Sequence, residues 1–106
     1  MRRPALALAA VALALPAHAG KLEELGREIA ELNCAGCHAI GLDDSSDHRE
    51  APPFRELAQR YPLDALEEAF AEGIYTGHPD MPAFEASPEQ IDALLAYLAT
   101  IQVPKR

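Results

Sequence analysis

The chain is poor in cysteine and in aromatic residues, and both shortages limit what it can be. Its two cysteines, Cys34 and Cys37, allow at most one disulfide, which would close a tiny loop and constrain the unfolded chain very little. There is no Trp, and only 6% of the residues are aromatic. A disulfide scaffold is therefore a poor explanation of the cysteines, and a chain this short needs core material from another source, such as a bound macrocycle.

Basic side chains are also scarce. The sequence has 9 Lys and Arg against 17 Asp and Glu, and two of the basic residues lie at positions 2 and 3. This balance argues against nucleic acid and anionic membrane surfaces as partners, because both repel negative charge. It favours a partner protein with a basic docking patch, although acidity that only maintains solubility is the simpler interpretation.

The N-terminus has the features of an export signal. Two arginines precede an apolar run over residues 5–17, which is too short to span a bilayer comfortably. Ala17 and Ala19 then frame an A-x-A cleavage site. We predict a signal peptide over residues 1–19, a single domain over 20–106 with no membrane span, and a periplasmic location; an uncleaved anchor is the alternative.

Apolar spacing predicts helices and no strand. Residues 21–33 form the first predicted helix, followed by helices over 54–60 and 63–72, the last stopped by Gly73. On the first helix, Leu22, Leu25, Ile29 and Leu32 share one face. Ser87, Pro88 and Gln90 form the start of a closing helix, with a capping box and a proline in the first turn. The predicted class is all-α.

The run Cys34-Ala35-Gly36-Cys37-His38 carries the strongest chemical signal. C-x-x-C-H is the attachment sequence for c-type haem: the two thiols reach the vinyl groups on one edge of the ring, and the histidine binds the iron. The small residues between the cysteines leave room for the ring to approach. The sequence therefore predicts one covalent haem c per chain, with His38 as an axial ligand.

Two other interpretations of the cysteines are open at this point. A thiol–disulfide oxidoreductase would place the first cysteine at the start of a helix in a βαβ unit, whereas here a predicted helix ends there. A zinc site would need a fourth ligand, for which His48 and His78 are candidates.

The second axial ligand is predicted in a proline-rich loop. Met81 is the only methionine outside the predicted signal, and the neighbouring prolines stiffen its segment. His78 in the same loop is the competing ligand, which would give a lower potential. His48 lies in an acidic loop and is predicted to be a solvated surface histidine.

These motifs resemble the class I monohaem c-type cytochromes of the bacterial periplasm. Besides the haem motif, the resemblance rests on the runs Ala51-Pro52-Pro53-Phe54 and His78-Pro79-Asp80-Met81-Pro82 and on the closing helix, so it covers nearly all of residues 20–106. It implies the cytochrome c fold, with four to five helices around one haem and crossing terminal helices. It also implies a His/Met-ligated, non-enzymatic carrier that exchanges single electrons with redox partner proteins through an exposed haem edge.

The resemblance also implies roles for individual residues. Gly26 and Tyr97 match the helix crossing, and Pro52 matches the residue whose carbonyl accepts a hydrogen bond from the proximal histidine, with Pro53 as the alternative. Candidate partners of the haem propionates are Arg49, Arg55, Arg60, Tyr61 and Tyr75, of which Arg55 and Tyr75 are preferred.

The functional alternatives are a cytochrome subunit dedicated to one dehydrogenase, a haem enzyme or gas-binding protein with an open sixth position, and the oxidoreductase already mentioned.

Overall fold

All the regular elements in the described part of the chain are helical. A computed structural model describes residues 17–73 and 80–104, with side chains from residue 20 onward. The elements are α1 (Ala17–Asn33), a 3₁₀ helix (Phe54–Glu56), α2 (Leu57–Arg60), α3 (Leu63–Glu72) and α4 (Pro88–Ile101). Within these ranges Phe84 forms an isolated bridge and no longer strand occurs. The predicted all-α class is therefore confirmed.

Helices α1 and α4 cross at a point where their backbones nearly touch. A methyl group built on Gly26 would overlap the carbonyl of Ala93 and lie 2.8 Å from Cβ of Tyr97. Ala30, one turn further along α1, is fully buried. The crossing that the sequence predicts is therefore present, and it is built from small residues that let the helix axes approach closely.

The apolar face of α1 differs from the prediction. Ile29 is buried, but Leu22 and Leu25 are 39% and 42% exposed and Leu32 is 85% exposed. The helix turns its small residues toward α4, because only they fit the close approach at Gly26. The leucines that share the predicted apolar face with Ile29 therefore lie beside the contact rather than in it.

The remaining helix boundaries follow local signals. Ser87 accepts a hydrogen bond from the backbone of Gln90, and the Gln90 side chain accepts one from the Ser87 N–H, so the predicted capping box opens α4. Gly73 ends α3 with a φ of 88°, a value that favours glycine. The single helix predicted over 54–60 is divided into a 3₁₀ turn and α2.

The N-terminal end of α1 lies at Ala17, four residues before the predicted start. The helix thus runs through the predicted cleavage point after residue 19, and cleavage itself stays a prediction. In the part of the chain that the structure describes, no helix has the length and apolar character needed to cross a bilayer.

Replacing Gly26 with alanine is expected to destabilise the protein. The new methyl group meets backbone atoms of α4, which cannot move without separating the helices, so we expect a loss of about 1–3 kcal/mol in the free energy of unfolding. Denaturant titration of the purified protein measures the loss. Gly20→Ala is the matched control on the same helix, because a methyl group there meets nothing within 4 Å. Equal stability of the two variants would contradict the proposed packing.

Candidate functional site

The C-x-x-C-H motif begins directly after the last residue of α1. The N–H groups of Cys34 and Ala35 both donate to the carbonyl of Ala30, at 2.8 and 3.0 Å, and so close the helix. The N–H groups of Cys37 and His38 then donate to the carbonyl of Cys34, at 3.2 and 2.9 Å. The motif is therefore a tight turn, which keeps both sulfurs and the imidazole close together at the end of one helix. Both cysteines are free thiols and partly buried.

The ring of His38 is held in one orientation by the segment that the resemblance indicated. Its Nδ1 lies 2.8 Å from the carbonyl oxygen of Pro52, and because a carbonyl can only accept, Nδ1 carries the hydrogen and donates. The Phe54 ring packs beside it, with centroids 5.1 Å apart. The lone pair of the neutral imidazole is then on Nε2, which is the arrangement that a metal-binding histidine needs.

Residues 39–46 form an ordered loop built from short polar side chains. Ser46 Oγ accepts a hydrogen bond from Ala39 N–H at 2.9 Å. The Asp44 carboxylate accepts from the N–H groups of Ile40 and Gly41 at 2.9 and 3.0 Å. Asp44 and Ser46 are therefore positioning residues that the sequence analysis missed. Their placement a few residues after the amides they bind was the available signal, since Asp and Ser commonly satisfy nearby backbone groups.

Arg55 contacts this loop. Its Nη1 donates to the carbonyls of Gly41 and Asp44, at 3.3 and 2.8 Å, and lies 3.5 Å from the Asp44 carboxylate. The Arg55 guanidinium thus closes the loop that follows His38. Contact of Arg55 with a haem propionate stays a prediction. Tyr75, the other preferred propionate partner, and His78, the competing ligand, lie outside the described residues.

The segment around Met81, the predicted second axial ligand, contacts two other parts of the chain. Met81 itself is partly buried. Phe84, three residues later, meets Phe70 of α3 edge to face, with ring centroids 6.2 Å apart. One residue before Met81, Asp80 Oδ2 lies 3.2 Å from His48 Nε2. His48, which was predicted to be a solvated surface residue, keeps 31% of its side chain exposed, and it is in addition hydrogen-bonded to the Met81 segment.

The chemistry of the cysteines disfavours thiol–disulfide exchange. Burial raises the pKa of the Cys34 thiol to about 11, so the thiolate that would attack a disulfide is scarce at neutral pH. Helix α1 also ends before Cys34, whereas oxidoreductase motifs lie at the start of a helix. The zinc alternative gains no support either, because residues 20–73 and 80–104 contain no group of three or more His, Cys, Asp or Glu side chains arranged to hold a metal ion.

The residues present fit a covalently bound haem. Two free thiols separated by two residues lie directly after α1, and the next residue has its imidazole oriented by a carbonyl. Apolar side chains partly buried against the core lie on several elements, among them Ile40, Leu63, Leu66, Phe84 and Leu95. This combination of thiols, oriented imidazole and half-buried apolar surface is the donor set of a c-type haem protein.

Comparison with known families agrees with this geometry. The family model for cytochrome c matches residues 23–102, which is most of the chain. The chain therefore belongs to the cytochrome c family, and it binds haem c covalently through Cys34 and Cys37. No curated protein and no solved structure matches it.

Tyr97 connects the helix crossing to this site. It is buried in α4 beside Gly26, and its hydroxyl donates to the carbonyl of Ile40, two residues after His38, at 2.5 Å. Burial is the main cause that raises its pKa, and the carboxylates of Asp44 and Glu31 add to the effect, while Arg27 opposes it. The hydroxyl is therefore kept as a neutral donor.

Replacing Tyr97 with phenylalanine should cost about 1 kcal/mol of stability at neutral pH, because the Ile40 carbonyl loses its donor. Since the raised pKa opposes ionisation in the folded state, the parent protein loses stability as the pH rises above ~10, where tyrosine ionises in the unfolded chain. The stability difference between parent and variant should therefore narrow at alkaline pH. Denaturant titrations at neutral and alkaline pH measure it.

Tyr61→Phe is the matched control, since Tyr61 is 53% exposed. We expect this variant to unfold like the parent at neutral pH. A Tyr97→Phe variant that is as stable as the parent at neutral pH, or a stability difference that widens at alkaline pH, would contradict the role given to the hydroxyl.

Proposed function

We propose that this cytochrome is a periplasmic carrier of single electrons, with His38 and Met81 as the two axial ligands of its iron. The observation that supports this most is the 2.8 Å hydrogen bond from His38 Nδ1 to the Pro52 carbonyl, which directs Nε2 to a metal. Met81 is the predicted thioether ligand, and its segment is held on both sides: Asp80 before it is bonded to His48, and Phe84 after it packs on Phe70. With both axial positions filled, electron transfer requires no substrate at the iron.

The haem supplies a ferric–ferrous couple, and the chain's own groups determine how that couple behaves. The Pro52 carbonyl increases electron density on the His38 ring, which makes it a stronger donor. The thioether of Met81 would stabilise the ferrous state and raise the potential. Phe54, buried against the His38 ring, excludes water on the proximal side. Because the fold holds these groups, we expect them to stay in place in both oxidation states, with little rearrangement during electron transfer.

The location and the partner are inferred from sequence and charge. The apolar run followed by an A-x-A site over residues 1–19 supports export and cleavage. The excess of acidic side chains supports a redox partner whose docking surface is basic, because opposite charges speed the encounter.

A dedicated cytochrome subunit is the second candidate, and one observation favours it. Leu22, Leu25 and Leu32 are exposed along one side of α1, and a permanent interface is more apolar than a transient one. Gel filtration with candidate dehydrogenases distinguishes the two: a stable complex would support a fixed subunit, and separate elution would support a mobile carrier.

Replacing Met81 with histidine should retain the haem and lower the reduction potential by on the order of 0.1 V or more, because an imidazole ligand stabilises ferric iron better than a thioether ligand does. Redox titration measures the shift. Met81→Leu is the companion variant: it should bind carbon monoxide in the reduced state, whereas the parent should not. An unchanged reduction potential in Met81→His would show that Met81 is not a ligand of the iron. Carbon monoxide binding by the parent at neutral pH would indicate an open sixth position.

Salt should affect electron exchange according to the charge of the reagent. Oxidation of the reduced protein by a cationic metal complex should slow as ionic strength rises to about 0.15 M, because screening removes the attraction to the acidic chain. Oxidation by ferricyanide should accelerate, because screening removes a repulsion. Stopped-flow kinetics measures both rates. If neither rate depends on salt, the net charge does not guide encounters at the haem edge.

A further inference from the structure

His48 is fixed to the backbone of the haem-attachment motif. Its N–H donates to the carbonyl of Cys37 at 3.1 Å, and its own carbonyl accepts from Ala51 N–H at 3.0 Å. Ala51 is the neighbour of Pro52, whose carbonyl holds His38. The position of the His48 backbone is therefore determined by the same loop that orients the proximal imidazole.

The side chain of His48 reaches in the other direction, toward the Met81 segment. Its Nδ1 lies 3.3 Å from Glu50 N, and because a backbone amide can only donate, Nδ1 is the acceptor of this pair. A neutral ring then carries its hydrogen on Nε2, which donates to Asp80 Oδ2 at 3.2 Å. This bond forms without a charged imidazole, and it joins residues 32 positions apart in sequence.

Met81 consequently lies between two attachments. On its N-terminal side, Asp80 is bonded to His48. On its C-terminal side, Phe84 packs edge to face on Phe70 of α3, which is buried in the core. The second attachment is an aromatic contact with the helical core, whereas the first is a hydrogen bond to the loop that carries the proximal ligand.

We infer that His48 is a positioning residue for the sixth ligand: by its hydrogen bond to Asp80 it holds the Met81 segment against the haem and so opposes replacement of the thioether by an external ligand. This inference rests on the proposed function, because it takes Met81 as the ligand. His48, which lies outside the C-x-x-C-H motif, would thus connect the loop that carries His38 to the segment that carries Met81. Loss of the bond removes this link to the proximal loop, whereas the contact of Phe84 with Phe70 remains.

The test is imidazole binding to the ferric haem-loaded protein. Imidazole binds only where the thioether has left the iron, so its apparent affinity reports how firmly Met81 is held. His48→Phe keeps a ring and removes both nitrogens, and we expect it to raise the apparent affinity for imidazole about three- to tenfold, the effect of one lost hydrogen bond. His48→Gln retains a donor at similar reach, so it should restore most of the parental resistance.

Variants at Asp80 test the same bond from the other side and do not depend on the fate of the His48 variant. Asp80→Ala removes the acceptor and should raise imidazole affinity as His48→Phe does, whereas Asp80→Asn keeps an acceptor oxygen and should change it less. Asp47→Ala removes one negative charge from an exposed position beside His48 and is the charge-matched control. In the double variant of His48→Phe and Asp80→Ala, the rise in imidazole affinity should be smaller than the two single effects combined, because both variants remove the bond that His48 and Asp80 share.

The absorption band of the bond between thioether and ferric iron gives a second readout. We expect the band in the parent and a weaker band in His48→Phe and Asp80→Ala at the same imidazole concentration. Parental affinities in both variants, with the band present in the parent, would overturn the positioning role and leave Met81 as the ligand. Absence of the band in the parent would overturn the proposed ligand and this inference with it.

Discussion

The backbone contact between α1 and α4 at Gly26 is the constraint on which the rest of the site depends. Because α1 ends at Asn33 and the haem-attachment motif follows at once, the position of α1 on α4 determines where both thiols and His38 lie. Tyr97, on the α4 side of the same crossing, extends this control through its bond to the Ile40 carbonyl. The helix pair is thus a support for the haem, and a shift of one helix would move the proximal ligand with it.

Polar side chains, rather than bulky apolar ones, give the proximal loop its shape. Asp44 and Ser46 bind backbone amides after His38, and Arg55 closes the loop by binding its carbonyls. At the C-terminal end, the Gln102 side chain donates to the carbonyl of Phe54 at 2.7 Å, which holds the residue whose ring contacts His38. Directional bonds of this kind suit a chain with few aromatics, because each one fixes a segment without filling a large volume.

What the residues alone could predict was what depends on neighbouring positions, whereas the crossing at Gly26 and the bond from His38 to Pro52 were predicted from the family resemblance. The capping box at Ser87 and the stop at Gly73 involve a few adjacent positions, and both occur where the sequence placed them. The exposure of Leu32 was missed because it depends on how closely α4 approaches α1, which periodicity does not reveal. The bond from His48 to Asp80 was missed for a related reason: loop closure brings these residues together, and neither carries a local signal of its partner.

Covalent attachment links the stability of this protein to its function. The crossing of α1 and α4 relies on Gly26, Ala30 and Ala93, which contribute little buried area each, so the helices alone form a thin core. Apolar side chains such as Leu63, Leu66 and Leu95 are only partly buried against that core. A ring attached to Cys34 and Cys37 would offer apolar surface to such side chains, and its covalent links keep it from dissociating. The same macrocycle that carries the electron would therefore complete the core, so that fold stability and the redox site depend on one group.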